Sequence, residues 1–336
     1  MPNSIWETRE RKGRERPLEA SASETATDIV ARVERRDIVL RSDGADLATW
    51  LFLPDGPGPH PLVIMAHGFS ATRTMTADKY AEVFRAAGLV VLLYDHRGFG
   101  ASGGQPRQRI DPWTQVREYR DALTFAETLD GVAHDRHALW SDSNSAGVAV
   151  TCAAIDDRVS AVAAQAPALG RALPPADPDG SLFNAIRDQV LSGHAADSED
   201  LSEAMPVVSD DQHRRPSALA PLTAYRWFIE YGGRFESGWV NDVTRATPKA
   251  APSWQPALCA PYVRCPVLFQ VSPSDEMVGA NPEVSRYAFD RLAGTKEWSD
   301  LEGGHFGLLY WPSEIFDRAS SEQARFLSAH LRRGEQ

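Results

Sequence analysis

The sequence predicts an α/β fold: a mostly parallel sheet flanked by helices, with a cap inserted into it. Three observations predict it. Short apolar runs that end in a glycine or a turn alternate with stretches of helical spacing, the pattern of a parallel sheet covered on both faces. Two strand-like segments near the start are separated only by a Ser-Asp-Gly turn, which makes them a hairpin. The alternation stops near residue 170 and resumes near 265, so a long segment is inserted between two parts of one sheet.

The elements follow in order. Residues 1–27 are polar and charge-mixed without period, and are expected to form a flexible arm. "RDIVLR" (36–41) and "LATWLFLP" (47–54) are rich in β-branched and aromatic residues and form the hairpin. "PLVIMAHG" (61–68) is a buried-type strand, and "TADKYAEVFRAAG" (76–88) is a helix with a terminal glycine. "LVVLLYDHRG" (89–98) is the next strand. The helix over 111–130 opens on Asp-Pro and places Val116, Tyr119, Leu123 and Ala126 on one face. "HALW" (137–140) is a strand, with a small-residue helix beginning near Ala146, and 159–167 is another strand. Residues 171–258 are predicted to cap the carboxyl ends of the strands, where open sheets bind ligands. A strand at 266–271, a helix near 283–293, a strand in "KEWSDLEGGH" and a closing helix at about 313–332 complete the body, taken as 28–170 plus 259–336.

Composition narrows the function. The chain has 336 residues, 43% of them hydrophobic, and a net charge of −11. Such a surface repels phosphate backbones, so nucleic acid is not an expected partner. Apolar runs of about six residues are too short to span a bilayer, and no membrane association is expected. The N-terminus lacks the apolar core of a secretory signal, and three cysteines show neither metal-ligand spacing nor a disulfide framework. A cytoplasmic location, no metal and no cofactor are the expectations; "GFGASGG" precedes no helix at dinucleotide spacing. The arm could reach a neighbouring subunit, which leaves a homodimer open.

The chemistry concentrates in "ALWSDSNSAGVAV" (138–150), where Ser141, Ser143 and Ser145 alternate. A nucleophilic serine needs a base and a rigid, exposed position, and a tight strand-to-helix turn supplies the position. Ser143 is the middle of that turn and the candidate nucleophile. Such turns carry small residues two before and two after the nucleophile; Ser141 and Ser145 stand there in place of glycine, at a cost on the order of 1 kcal/mol. The competing interpretation is a plain serine-rich helix cap. Of nine histidines, His305 follows two glycines at a strand end and is the candidate base. His60, His134, His137, His194, His213 and His330 read as surface residues, and His67 and His96 fall in turns. Asp275 follows a strand directly and is the candidate acid that orients the base, with Glu276 its local competitor. Oxyanion donors are expected from the amides of Asn144, next after the nucleophile, and of Phe69, in the loop after an early strand.

With these residues in place, the chain resembles the α/β-hydrolase superfamily, especially its dienelactone-hydrolase-like and Xaa-Pro-peptidase-like serine hydrolases. The matching pieces are "VIMAHGFSATR", "LLYDHRGFGASGGQPRQRIDPWTQVREYRDAL", "HALWSDSNSAG", "CPVLFQVSPSDEMV" and "EGGHFGLLYW", spread over roughly 35–336. The order Ser, Asp, His along the chain is that of the superfamily. The resemblance implies an eight-stranded sheet and a helical cap, with Asp95 and Arg97 as loop-bracing residues. The serines at 141 and 145 depart from the glycines usual there. The implied activity is hydrolysis of an ester, lactone or thioester of a small-molecule acyl substrate through an acyl-enzyme. An acyltransferase or cyclase with the same triad, a peptidase or amidase, and a silent binding protein on the same fold are the alternatives. In the cap, Trp227, Tyr231 and Trp239, with Phe228 and Phe235, could line an apolar acyl pocket or simply pack as core.

Overall fold

A computed structural model describes residues 35–193, 199–248 and 253–332; the predicted arm at 1–27 and His194 lie outside them. Strands β1 (Arg35–Ser42) and β2 (Ala45–Phe52) form the antiparallel hairpin, paired from Arg35 with Phe52 to Ser42 with Ala45. Asp43 and Gly44 turn it with positive φ, as a two-residue hairpin loop requires. Then follow β3 (His60–Ala66), α1 (Ala77–Ala86), β4 (Val90–Tyr94), the short β5 (Arg109–Ile110) and α2 (Pro112–Ala126). Helix α2 starts as its Asp-Pro predicts: Asp111 accepts the Thr114 amide, and Pro112 occupies the first turn. Strand β6 (Val132–Asp142), α3 (Ser143–Ile155) and β7 (Val159–Gln165) complete the first part of the sheet.

After β7 come α4 (Ser181–Ser192), β8 (Glu199–Leu201), α5 (Leu222–Gly232) and β9 (Thr244–Pro248), then a 3-10 turn over Pro256–Tyr262. The body closes with β10 (Val267–Val271), α6 (Pro282–Arg291), β11 (Lys296–Asp300) and α7 (Glu314–Leu331). The main sheet has eight strands in the order β1-β2-β4-β3-β6-β7-β10-β11, with only the β1 and β2 pairings antiparallel. The short strands make a small sheet, β5-β9-β8, which sequence reasoning did not foresee because each has two to five residues and no apolar alternation.

Alternation along each strand divides the core. Leu62, Ile64 and Ala66 of β3 join Leu92, Leu139 and Val162 on the face covered by α2 and α3. The opposite face carries Trp140, which meets Tyr80 and Phe84 of α1, while Tyr80 also meets Phe316 of α7. A buried amide network ties this face together: Gln323 of α7 accepts from Trp140 Nε1 at 2.7 Å and donates to Gln165 at 2.8 Å and Gln270 at 2.5 Å. Helix α3 is buried on all sides from Ser145 to Ala153, which its small residues permit. Phe183, Ile186 and Val190 of α4 belong to the same core rather than to the region above the strand ends.

One sequence expectation is overturned here. His137 lies on β6 in the middle of the sheet and is fully buried. Its polar flanks, Arg136 and Asp135, disguised a position that the strand alternation turns inward. Among the described residues, no helix is long and apolar enough to cross a membrane.

Candidate active site

Strand β6 passes directly into α3, so the helix starts three residues earlier than the spacing predicts, with Ser143 at its first position. Ser143 has φ +51°, a left-handed conformation that costs a non-glycine residue about 1–3 kcal/mol. The strain falls on Ser143 itself; Ser141 and Ser145 keep negative φ. What the turn demands of its surroundings is space. A Cβ on Gly68 would lie 2.9 Å from Asp142 Oδ2 and 3.0 Å from Ser143 Cβ.

Ser141 and Ser145 are both fully buried. Ser145 is more than a small residue tolerated in place of glycine: its hydroxyl donates to the His67 carbonyl at 2.7 Å and meets His96 Nε2 at 2.9 Å. His96 Nδ1 lies 2.5 Å from Glu118 Oε2, and Glu118 Oε1 accepts the Arg97 amide at 3.1 Å. This chain braces the elbow from below. Asp95 accepts the amides of Arg73 and Ala101, and so holds the loop that carries His96.

His305 stands beyond β11, where Gly303 and Gly304 turn the chain with φ of +108° and +69°. Its Nε2 is 2.9 Å from Ser143 Oγ, and its Nδ1 is 2.7 Å from Asp275 Oδ2. The His305 and Asp275 side chains are 3% and 1% exposed. Asp275 Oδ1 accepts the Met277 amide at 2.9 Å, which fixes the carboxylate. Glu276, the competing acid, accepts the His305 backbone amide at 2.8 Å instead, and so positions the loop rather than the ring. Tyr80 Oη donates to the Leu308 carbonyl at 2.7 Å and Thr76 Oγ1 to the Leu309 carbonyl at 2.8 Å, which anchors the chain just past His305. The structure thus brings Ser143, His305 and Asp275 into one hydrogen-bonded line across 162 residues of sequence.

The loop after β3 is fixed from the elbow side. Asp142 Oδ1 accepts the Gly68 amide at 2.9 Å, so that amide is committed, and the next residue, Phe69, lines the cavity together with Ser143. Asn144, in the first turn of α3, has an amide without a carbonyl one turn back. Its side chain donates to Gln115 at 3.1 Å. His67 Nε2 donates to the Met75 carbonyl at 2.6 Å, and Nδ1 lies 3.1 Å from Asp142 Oδ1. Burial disfavours the His67 cation, but the Asp142 carboxylate and these hydrogen bonds outweigh burial and raise its pKa above the usual value. Sequence reasoning missed Asp142, His67, His96 and Glu118 as parts of the site. The only signal for them was an acid immediately before the candidate serine.

The space above Ser143 is a cavity of about 30 Å³, room for little more than one water molecule. Its lining includes Phe69, Trp227, Phe228, Met277 and Phe306. Trp227 packs on the His67 ring and donates to the Leu309 carbonyl at 3.2 Å. Tyr231, one turn further along α5, does not line the cavity; it stacks behind Trp227 and its hydroxyl accepts the Trp311 amide. Trp239 is also set back, against Phe228 and Gly232. Phe235 is 90% exposed and takes no part in the cavity. Among the described residues, no group of three or more His, Cys, Asp or Glu is placed to hold a metal ion.

Comparisons with known proteins agree with the fold. A family model described as serine aminopeptidase, S33 matches residues 57–305. A thiohydrolase of Eupenicillium brefeldianum is 30% identical over 275 residues, 80% of this chain and 85% of its own. A polyketide transferase of Stachybotrys chlorohalonatus is 29% identical over 312 residues, 90% of this chain and all (100%) of its own. Among solved structures, an α/β hydrolase from a Penicillium species superposes with a TM-score of 0.66 at 25% identity, covering 89% of this chain and 99% of that one.

Proposed function

We propose that this chain, which belongs to the serine aminopeptidase S33 family of α/β-hydrolases, cleaves a carboxylic ester, lactone or thioester through an acyl-enzyme, with Ser143 as nucleophile, His305 as base and Asp275 as its orienting acid. The observation that carries the reading is the line from Ser143 Oγ to His305 Nε2 at 2.9 Å and from His305 Nδ1 to Asp275 at 2.7 Å. As Oγ bonds to the acyl carbon, its proton passes to Nε2 and the carbonyl electron pair moves onto oxygen. The buried Asp275 carboxylate stabilises the imidazolium so formed. The amides of Phe69 and Asn144 receive the oxyanion; one such donor is worth about 3–4 kcal/mol of barrier. The tetrahedral intermediate collapses, the leaving thiol or alcohol takes the proton from Nε2, and water activated by His305 then releases the acid.

The thiohydrolase similarity favours a thioester among these substrates. Aminopeptidase action is disfavoured. It needs a carboxylate to hold the substrate's amino group, and the one acid lining the cavity, Asp142, is occupied by the Gly68 amide and His67. We read α5 as part of a cap at 171–258. The cavity beneath it, about 30 Å³, is lined by Trp227 and Phe228 of that helix. Acyl transfer is a second reading. It is favoured by the small, aromatic-lined cavity and by the similarity to a polyketide transferase. Product analysis with an added thiol or alcohol separates transfer from hydrolysis.

The test is Ser143→Ala, assayed by thiol release from an acyl thioester and by labelling with a fluorophosphonate. Turnover should fall by about 10⁶-fold, as in other serine hydrolases stripped of a triad member, and labelling should vanish. Turnover near the full rate overturns the assignment.

A further inference from the structure

Arg245 of β9 holds its guanidinium carbon 4.8 Å from the centre of the Phe69 ring. Phe69 lines the cavity above Ser143, and so does Leu219. Arg245 Nη2 reaches the carbonyl of Ala218, the neighbour of Leu219, at 3.4 Å. Its Nε is enclosed and has no hydrogen-bond acceptor among the described residues. Several other arginines among the described residues are paired with acids, such as Arg73 with Asp95, Arg120 with Asp156 and Arg318 with Glu322. Arg245 has no carboxylate partner among the described residues. Burial and the nearby charge of Arg171 both hold its pKa below the usual guanidinium value, so its surroundings do nothing to favour the charge. A partly buried cation without a counter-ion is costly to keep, and a guanidinium's planar fork matches an oxyanion on two N–H groups. On a chain of net charge −11, this is a local electropositive spot against the wall of the candidate active site.

We infer that Arg245 is a specificity-determining residue that binds an anionic group of the substrate, a carboxylate or phosphate, while the acyl carbonyl lies at Ser143. The inference rests on the reading of Ser143 as nucleophile. The anion has two sources, a carboxylate at the far end of the acyl chain or a phosphate on the leaving group. With the first, the chain runs from Ser143 past Phe69 to the cap; with the second, the thiol arm does.

Three thioesters distinguish them: the N-acetylcysteamine monothioester of glutaric acid, the neutral pentanoyl N-acetylcysteamine thioester, and pentanoyl coenzyme A. In the wild type, kcat/KM should be higher for one of the two anionic substrates than for the neutral one. That advantage should shrink as salt is raised to about 0.5 M. Arg245→Gln should lower kcat/KM for that anionic substrate by about 10- to 100-fold, the range of a charge-assisted hydrogen bond, and leave the neutral substrate within about threefold. Arg245→Lys, which keeps the charge but loses the planar fork, should retain part of the advantage and serves if the glutamine variant does not fold. Equal losses on all three substrates mean that Arg245 only braces Phe69, and they overturn the inference. So does a wild type with no preference for either anion. Ser143→Ala in the same assay keeps the two readings apart: if it stays active, the nucleophile assignment fails whatever Arg245 does.

Discussion

Replacing Gly68 with alanine tests the oxyanion loop directly. The added Cβ would sit 2.9 Å from Asp142 Oδ2, 3.0 Å from Ser143 Cβ and 3.1 Å from the Asp142 carbonyl oxygen. Comfortable contacts for carbon are about 3.5–4.0 Å, so the loop must back away from the elbow by roughly half an ångström or more. An oxyanion donor works within about 2.7–3.1 Å of the developing charge, and that retreat takes the Phe69 amide out of range. Loss of one donor costs about 10²–10³ in turnover. The expected result is a kcat lower by about 100-fold with KM little changed, because the interaction is made in the transition state. Overpacking also costs stability, about 1–3 kcal/mol, so a control is needed. Gly294→Ala supplies it: its Cβ would lie 2.2 Å from the Arg264 carbonyl oxygen and 2.5 Å from that of Cys265, at the amino end of β11, away from the strand ends that carry the site. Thermal melts should show destabilisation in both variants, and thioester kinetics a large kcat loss only in Gly68→Ala. Near-normal kcat in folded Gly68→Ala, or equal kcat losses in the two variants, would refute the placement of the oxyanion hole.

Ser145→Ala should lower stability by about 2–3 kcal/mol in urea denaturation, since it strands the buried His96 Nε2 and removes the tie to the His67 carbonyl. Its kcat should fall far less than that of Ser143→Ala; an inactive Ser145→Ala would point to the wrong serine. His137 gives a pH dependence of definite sign. Burial lowers its pKa, so the folded state binds its proton less readily than the unfolded chain does. Stability from this group is therefore intact above the ordinary histidine value near 6.5, and falls as pH drops below it, by at most about 1.4 kcal/mol per pH unit. His137→Phe should remove that component when urea midpoints at about pH 7.5 and about pH 5 are compared. An unchanged difference between the two pH values counts against the explanation.

Much of the fold was legible because sheet and helix periods are local. The hairpin, each long strand of the body and helices α1, α2, α6 and α7 fall within a few residues of their expected places. Ser143, His305 and Asp275 were legible for a different reason: each stands where a strand ends, next to small residues that let the chain turn. What escaped notice has no local period. The β5-β9-β8 sheet is made of pieces too short to alternate. His137 was misjudged because its charged neighbours hid an inward-facing position. The pairings of His96 with Glu118 and His67 with Asp142 join residues 22 and 75 positions apart, and no spacing rule connects them. Of the cap aromatics offered as a pocket, Trp227 and Phe228 of α5 reach the cavity and Tyr231, one turn on, does not, a distinction set by where the helix crosses the site.

The pairing at Asp142 also bears on how the elbow works without its usual glycines. A buried carboxylate immediately before the proposed nucleophile would oppose negative charge gathering on an acyl oxygen nearby. His67 Nδ1 lies 3.1 Å from that carboxylate, which raises the His67 pKa against the opposing effect of burial. The His67 carbonyl is in turn held by Ser145, and the Gly68 amide by Asp142. The elbow and the oxyanion loop are therefore cross-linked at two points, one on each side of Ser143. A glycine at 145 would relieve crowding but could make neither contact of the hydroxyl. Serine fits in the same space and fastens the β3 loop to α3. On the proposed reading, the residue that breaks the expected pattern thus helps to fix the distance between Ser143 and the loop after β3.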